Sequence, residues 1–338
     1  MGVGAASPAM VEGEQSKHHE RSLENMSATY GSGKYKYELV DNWAKYPEGW
    51  DFVDVCGLSI DSQDRVYVLN RGAHPVMVFD REGNLLKSWG EGFFGRAHGT
   101  CICPDGSVYC TDDHKHTVSK FTPEGELLML LGNEGHPSDT GYVKKADIYE
   151  SLATIKRGAS PFNRPTGVAL SSSREIYVSD GYGNARVHKF SSDGTLLFSW
   201  GEPGRDPGQF RLPHCVRVDG RDRVWVADRE NNRLQIFDAQ GEFRGLFGGL
   251  GRPDDIAIDG EETVYVAELE RGVSIFSIDG KLLSRWGCEG EVKEDDLFIA
   301  PHAIAVDSRG DLYVGEVCHT HSKIDRGPRA MQKFARSG

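Results

Sequence analysis

One pattern recurs six times along this 338-residue chain and constrains its fold more than any other feature. A copy opens with a small or apolar residue, an apolar run, Asp and a turn. Hydrophobic-Tyr/Trp-Val, an acidic residue, a second turn and hydrophobic-x-x-Phe follow. After a Gly-containing turn the copy closes on Leu-x-x-x-Trp-Gly or a variant. The clearest copies read RLPHCVRVDGRDRVWVADRENNRLQIFDAQGEFRGLFG and NRPTGVALSSSREIYVSDGYGNARVHKFSSDGTLLFSWG. With the residue before the first apolar run as an anchor, the copies begin at Cys56, His98, Thr166, His214, Asp254 and His302, at intervals of 42, 68, 48, 40 and 48 residues. The long interval holds a polar insertion, about residues 133–163, that lacks the repeat. Four runs rich in β-branched and aromatic residues, separated by Asp-Gly or Glu-Gly turns, predict four antiparallel strands per copy. Such a sheet cannot cover both of its own faces. Six arranged radially cover one another, which predicts an all-β, six-bladed β-propeller over residues 35–338. The sixth copy stops one strand short at MQKFAR, and YKYELV, ahead of the first copy, is expected to supply the missing outer strand. Residues 1–34 are polar and are expected to form a mobile tail.

Composition narrows the function classes. Lys and Arg number 39 against 51 Asp and Glu, a formal charge of −12, opposite to the basic footprint of a nucleic-acid-binding protein. No apolar run approaches roughly 18 residues, so no membrane-spanning helix is expected. The first 35 residues contain no apolar stretch of the signal-peptide kind. Seven scattered cysteines make no disulfide framework, and a cytoplasmic location is expected.

The anchors carry the chemistry. In a propeller the first strand of each blade lies along the central channel, so six anchors form a ring at one mouth. His98, His214 and His302 come from alternate blades, related by about 120° in a six-fold ring. With only 12 histidines in the chain, this alternation sets them apart from unrelated polar residues at strand starts. Three imidazoles with an open fourth position is the ligand set of a catalytic divalent transition metal, with zinc the expected ion. The turns after the second strands open at the same mouth. Among them Arg71 and Tyr182 stand out, because neighbouring copies carry Asp or Glu nearby. A Tyr near a dication can act as a base, and an Arg can hold a substrate carboxylate. Arg229, in the blade-four turn, is a further substrate-binding candidate. Asp180, Asp228, Glu268 and Glu316 recur at one column and read as structural turn acceptors. His114, His116, His319 and His321 read as turn or surface residues.

These residues resemble a known family. The stretch from Phe162 to Phe237, with FNRPTGVA, YVSDGYGNARVHKF, PGQF-x-LPH and VADRENNRLQIF, resembles peptidyl-α-hydroxyglycine α-amidating lyase, and residues 36–338 resemble NHL-type repeat proteins more loosely. The resemblance implies a six-bladed propeller with a three-His zinc site, its ligands falling on His98, His214 and His302 and its catalytic Arg and Tyr on Arg71 and Tyr182. It also implies a structural calcium held by an Asp after the last His. Here that residue is Ala303, so the carboxylate is missing even though Leu58 and Thr100 still offer carbonyls, and structural calcium is not expected. Secreted members have a disulfide Cys where this chain has Gly183. The best-known members also follow a copper monooxygenase domain, for which this chain has no room, so another protein is expected to supply the substrate, or the substrate differs.

The leading expectation is a carbon–nitrogen lyase that cleaves a small-molecule or peptide-derived α-hydroxy acid derivative of the carbinolamide type, giving an amide and glyoxylate or a related oxo acid. Two alternatives stand beside it: a metal-dependent hydrolase at the same site, and a non-catalytic NHL-repeat binding scaffold.

Overall fold

The computed structural model describes residues 1–2 and 28–338; residues 3–27, most of the expected tail, lie outside the described residues. Six antiparallel sheets make up the molecule, five of them built from one copy of the repeat each and the sixth from the last copy together with N-terminal strands. The first strands of the blades run Val55–Ile60, Ala97–Ile102, Pro165–Leu170, Pro213–Val218, Pro253–Ile258 and Pro301–Val306. Each packs against the next, and the sixth packs back on the first, so the molecule is a closed six-bladed β-propeller. One hydrophobic cluster fills each of the six blade interfaces.

The recurring residues have visible causes. Between first and second strands, Asp61, Asp219, Asp259 and Asp307 accept the backbone N–H groups two and four residues on, at 2.8–3.0 Å. This side-chain cap replaces bonds that the chain reversal leaves unmade. The aromatic of the second strand bonds the same carboxylate: Trp225 Nε1 at 2.8 Å from Asp219, Tyr265 Oη at 2.8 Å from Asp259, Tyr313 Oη at 3.2 Å from Asp307. The Gly of the third turn is fixed by packing as well as by φ. Gly125, at φ 91°, would put a Cβ 2.7 Å from the ring of Trp89 in the preceding blade.

The ring closes through both ends of the chain. Tyr35–Val40 pairs with Met331–Arg336, in the register Leu39 with Phe334, and forms the fourth strand of blade six. Residues 29–32, which sequence reasoning counted with the tail, form a fifth strand outside it. Arg81 of blade one clamps Asp307 and Asp311 of blade six, both at 2.7 Å. The insertion carries a short helix, Ile148–Leu152, capped by Asp147. All seven cysteines are free, and among the described residues no helix is long and apolar enough to cross a membrane.

Candidate metal centre

The approach to each anchor is held in the same way in all six blades. The polar residue ending the second strand accepts the N–H of the residue three before the anchor: Asn70 from Val53, Asp112 from Gly95, Asp180 from Asn163, Asp228 from Arg211, Glu268 from Gly251 and Glu316 from Ile299. The recurring acids therefore set where the anchors stand. Glu316 also pairs with Arg326 and is fully buried, so its oxygens are committed to the fold.

With the anchors fixed, His98, His214 and His302 converge on the axis. Their ring centroids lie 4.7, 4.8 and 4.8 Å apart, and their potential ligand atoms all fall within 4.8 Å of one another. Each Nδ1 meets a main-chain carbonyl: His98 that of Thr166 at 2.7 Å, His214 that of Asp254 at 2.7 Å, His302 that of Cys56 at 3.0 Å. These carbonyls belong to the other three anchors. A carbonyl can only accept, so Nδ1 carries the proton and Nε2 presents a lone pair to the axis. Burial above all holds all three rings well below the usual histidine range and hence neutral, helped by the other two imidazoles at His98, by Arg229 and the His302 ring at His214, and by Arg71, Arg229 and Arg96 at His302.

Three inward lone pairs need a positive partner, and among the described residues they meet a single proton, that of Tyr182. Tyr182 Oη lies 3.2 Å from Nε2 of His98 and 3.2 Å from Nε2 of His214, and it can donate to only one at a time. His302 Nε2 is buried with no hydrogen-bond partner. This donor set fits a divalent transition metal, with the Nδ1 carbonyls fixing the tautomer and aim of each ring.

Arginines surround the centre. Arg229 Nη1 lies 3.4 Å from Tyr182 Oη and 3.3 Å from Asp254. Burial pushes the Asp254 carboxyl up to about 7, against the pull of Arg229. Arg71 donates Nε to the carbonyl of Ala97 at 2.9 Å, sits 3.7 Å from Asp54, and leaves Nη2 buried without a partner. It faces a cavity of about 330 Å3 shared with Arg96 and Phe94. Sequence reasoning missed Arg96 and Arg164, whose guanidinium carbons lie 5.6 and 5.2 Å from the Tyr182 ring centre and which share Asp113. Their signal was present, since Arg occurs two residues before the anchor in blades two, three and five, as Arg96, Arg164 and Arg252.

The residues below the histidines do not fit calcium. Ala303 is fully buried and apolar. The channel carboxylate stands one blade earlier, at Asp255, and its oxygens are already taken: Arg217 Nη2 at 2.8 Å, Cys215 Sγ at 2.8 Å and the Ile304 N–H at 3.0 Å. Arg217 lines both the axial space under the rings, only about 10 Å3, and the opening of about 210 Å3 at the far end, so it floors the channel. Its guanidinium supplies the positive charge that Asp255 needs. A calcium-selective chelator is therefore expected to leave the thermal midpoint unchanged; a large drop on chelation would show that other oxygens hold the ion.

Two segments, residues 162–190 and 210–237, match the NHL repeat. The chain carries NHL repeats. It is 32% identical over 234 residues to NHL repeat-containing protein 3 of Homo sapiens, covering 65% of this chain and 62% of that protein. It is 31% identical over 175 residues to peptidyl-alpha-hydroxyglycine alpha-amidating lyase 1 of Drosophila melanogaster, covering 49% of this chain and 29% of that protein. The chain thus spans about three fifths of the human relative and under a third of the fly one. Among solved structures, a gluconolactonase from Xanthomonas campestris superimposes with a TM-score of 0.60 at 12% identity, over 89% of this chain and 90% of that one, a likeness of fold alone. Both segments of the NHL propeller that match bear on the centre, one containing Tyr182 and the other His214 and Arg229.

Proposed function

We propose that the chain is a metal-dependent carbon–nitrogen lyase acting on a carbinolamide-type α-hydroxy acid derivative. The observation that carries this reading is the Tyr182 hydroxyl placed between two imidazoles whose lone pairs are aimed at the axis. The similarity to proteins named peptidyl-alpha-hydroxyglycine alpha-amidating lyase supports it.

His98, His214 and His302 would hold a divalent metal, most simply zinc, which when bound would supply Lewis acidity toward a substrate hydroxyl. Arg71 offers its unpartnered Nη2 to the substrate carboxylate and orients the carbinol carbon over the rings. Tyr182, as a phenolate stabilised by Arg229 3.4 Å away, takes the hydroxyl proton and becomes a neutral phenol until that proton moves on. The C–N bond breaks with its electron pair on nitrogen, the proton taken from the hydroxyl ends on that nitrogen, and the new C=O forms on carbon. An amide and glyoxylate, or a related oxo acid, leave, and neither water nor an electron carrier is consumed. The seven free cysteines suit a reducing compartment, and a cytoplasmic location is part of this proposal.

The test pairs elemental analysis of the purified protein with glyoxylate release from N-benzoyl-α-hydroxyglycine. About one transition metal per chain and metal-dependent release are expected. The similarity to NHL repeat-containing protein 3, which covers more of this chain, supports a second reading as a non-catalytic binding scaffold. A chain without stoichiometric metal and without turnover decides for the scaffold.

A further inference from the structure

The insertion at residues 133–163 is seated on the candidate centre. Leu152 and Ile155 pack against Tyr182 and Leu212 in one apolar cluster, and Tyr142 Oη accepts a bond from Arg164 at 3.1 Å. The insertion therefore walls one side of the mouth, and its helix presents Tyr149 to a cavity of about 430 Å3 beside blade four.

That cavity is cationic in a chain of net charge −12. Tyr149 stands between Arg211 and Arg252, whose guanidinium carbons lie 5.7 and 5.8 Å from its ring centre. Arg252 spends one nitrogen on Glu230 at 2.7 Å, but its Nε is buried without a partner. Arg205 and Arg211 have no ion-pair partner among the described residues. Glu270, the other carboxylate at the rim, is exposed. The cavity also connects to the centre. Glu230 binds Arg252 and, at 2.9 Å, Arg229, which reaches Tyr182. Unspent guanidinium donors set against an aromatic wall, one carboxylate away from the reacting groups, form a recognition surface for an oxyanion.

We propose that this cleft is a subsite for a second anionic group of the substrate: a carboxylate carried on its acyl portion, remote from the C–N bond. The proposal rests on the lyase reading of the centre and names the substrate class within it, an acyl-α-hydroxyglycine that is acidic at both ends. The same donors suit a phosphoryl group, and the test separates the two.

Glutarate and inorganic phosphate are titrated calorimetrically into the purified protein and into Arg211→Gln, Arg205→Gln and Arg71→Lys. Glutarate is expected to bind, and Arg211→Gln to weaken it by roughly 10- to 100-fold, the scale of one charged hydrogen bond. Arg205→Gln, at an exposed position, is expected to weaken it in the same direction, and Arg71→Lys less than Arg211→Gln. Glutarate binding that ignores Arg211 and Arg205, or that depends mainly on Arg71, overturns the subsite. Phosphate binding tighter than glutarate with the same Arg211 dependence assigns the cleft to a phosphoryl group and overturns the carboxylate. None of these readouts needs turnover, so Arg211-dependent glutarate binding in a protein that releases no glyoxylate sinks the lyase reading and leaves the anion site standing. In a protein that does turn over, KM for N-succinyl-α-hydroxyglycine is expected to rise in Arg211→Gln relative to that for the N-benzoyl compound.

Discussion

His214→Ala is expected to empty the metal centre. Loss of a residue that merely supports a ligand typically costs 10–100-fold in metal affinity, and loss of one of three ligands costs more than roughly that. The remaining rings, His98 and His302, stay aimed by the carbonyls of Thr166 and Cys56, so the defect is in ligand number and not in ligand placement. The variant also leaves the Asp254 carbonyl without its donor, and a thermal melt separates that local loss from unfolding. Metal content by elemental analysis, on protein that melts cooperatively, is the measurement. Full occupancy in His214→Ala places the metal elsewhere.

Tyr182→Phe is expected to lower kcat by roughly 10²–10⁴-fold while leaving the metal in place. The ring keeps its packing with Leu152, Ile155 and Leu212 and its three guanidinium neighbours, so only the proton acceptor disappears. The control is Arg71→Lys, which keeps a charge but loses the planar fork, and for which turnover and substrate binding both fall. The check is steady-state kinetics on metal-loaded protein. A near-wild-type kcat for Tyr182→Phe removes the phenol from the proton transfer. Glu316 is then no ready substitute, since it is held by Ile299, Ala300 and Arg326.

The blades and the three histidines were legible because side chains carry them. The anchor column alternates His with other residues, and the strands on either side keep their period. The other half of the same column carried no residue signature. Cys56, Thr166 and Asp254 share nothing as side chains, and what they contribute to the imidazoles is a main-chain carbonyl, which every residue has. The acids ending the second strands could be read as turn acceptors, but their grip on the residue three before each anchor, about 17 residues back in the same blade, is visible only in three dimensions. Arg96 and Arg164 escaped because a turn arginine in a chain with 39 basic residues looks like solvated surface until a buried Tyr182 is found beside it. The strand at residues 29–32 was hidden by its short, mixed run, TYGS, an edge strand in which Tyr30 packs edge-on against Phe334.

The closure of blade six bears on the order in which the centre is born. Tyr35–Val40 leaves the ribosome long before Met331–Arg336, yet the two must pair to finish the blade that holds His302. His302 in turn is aimed by the Cys56 carbonyl of blade one, so the third ligand is set only when the first and last blades meet. A nascent chain displays two histidines and gains the third at the moment of ring closure, after the slow, long-range step that such topology demands. Any metal that these three histidines hold would therefore meet its full ligand set only once the ring is complete.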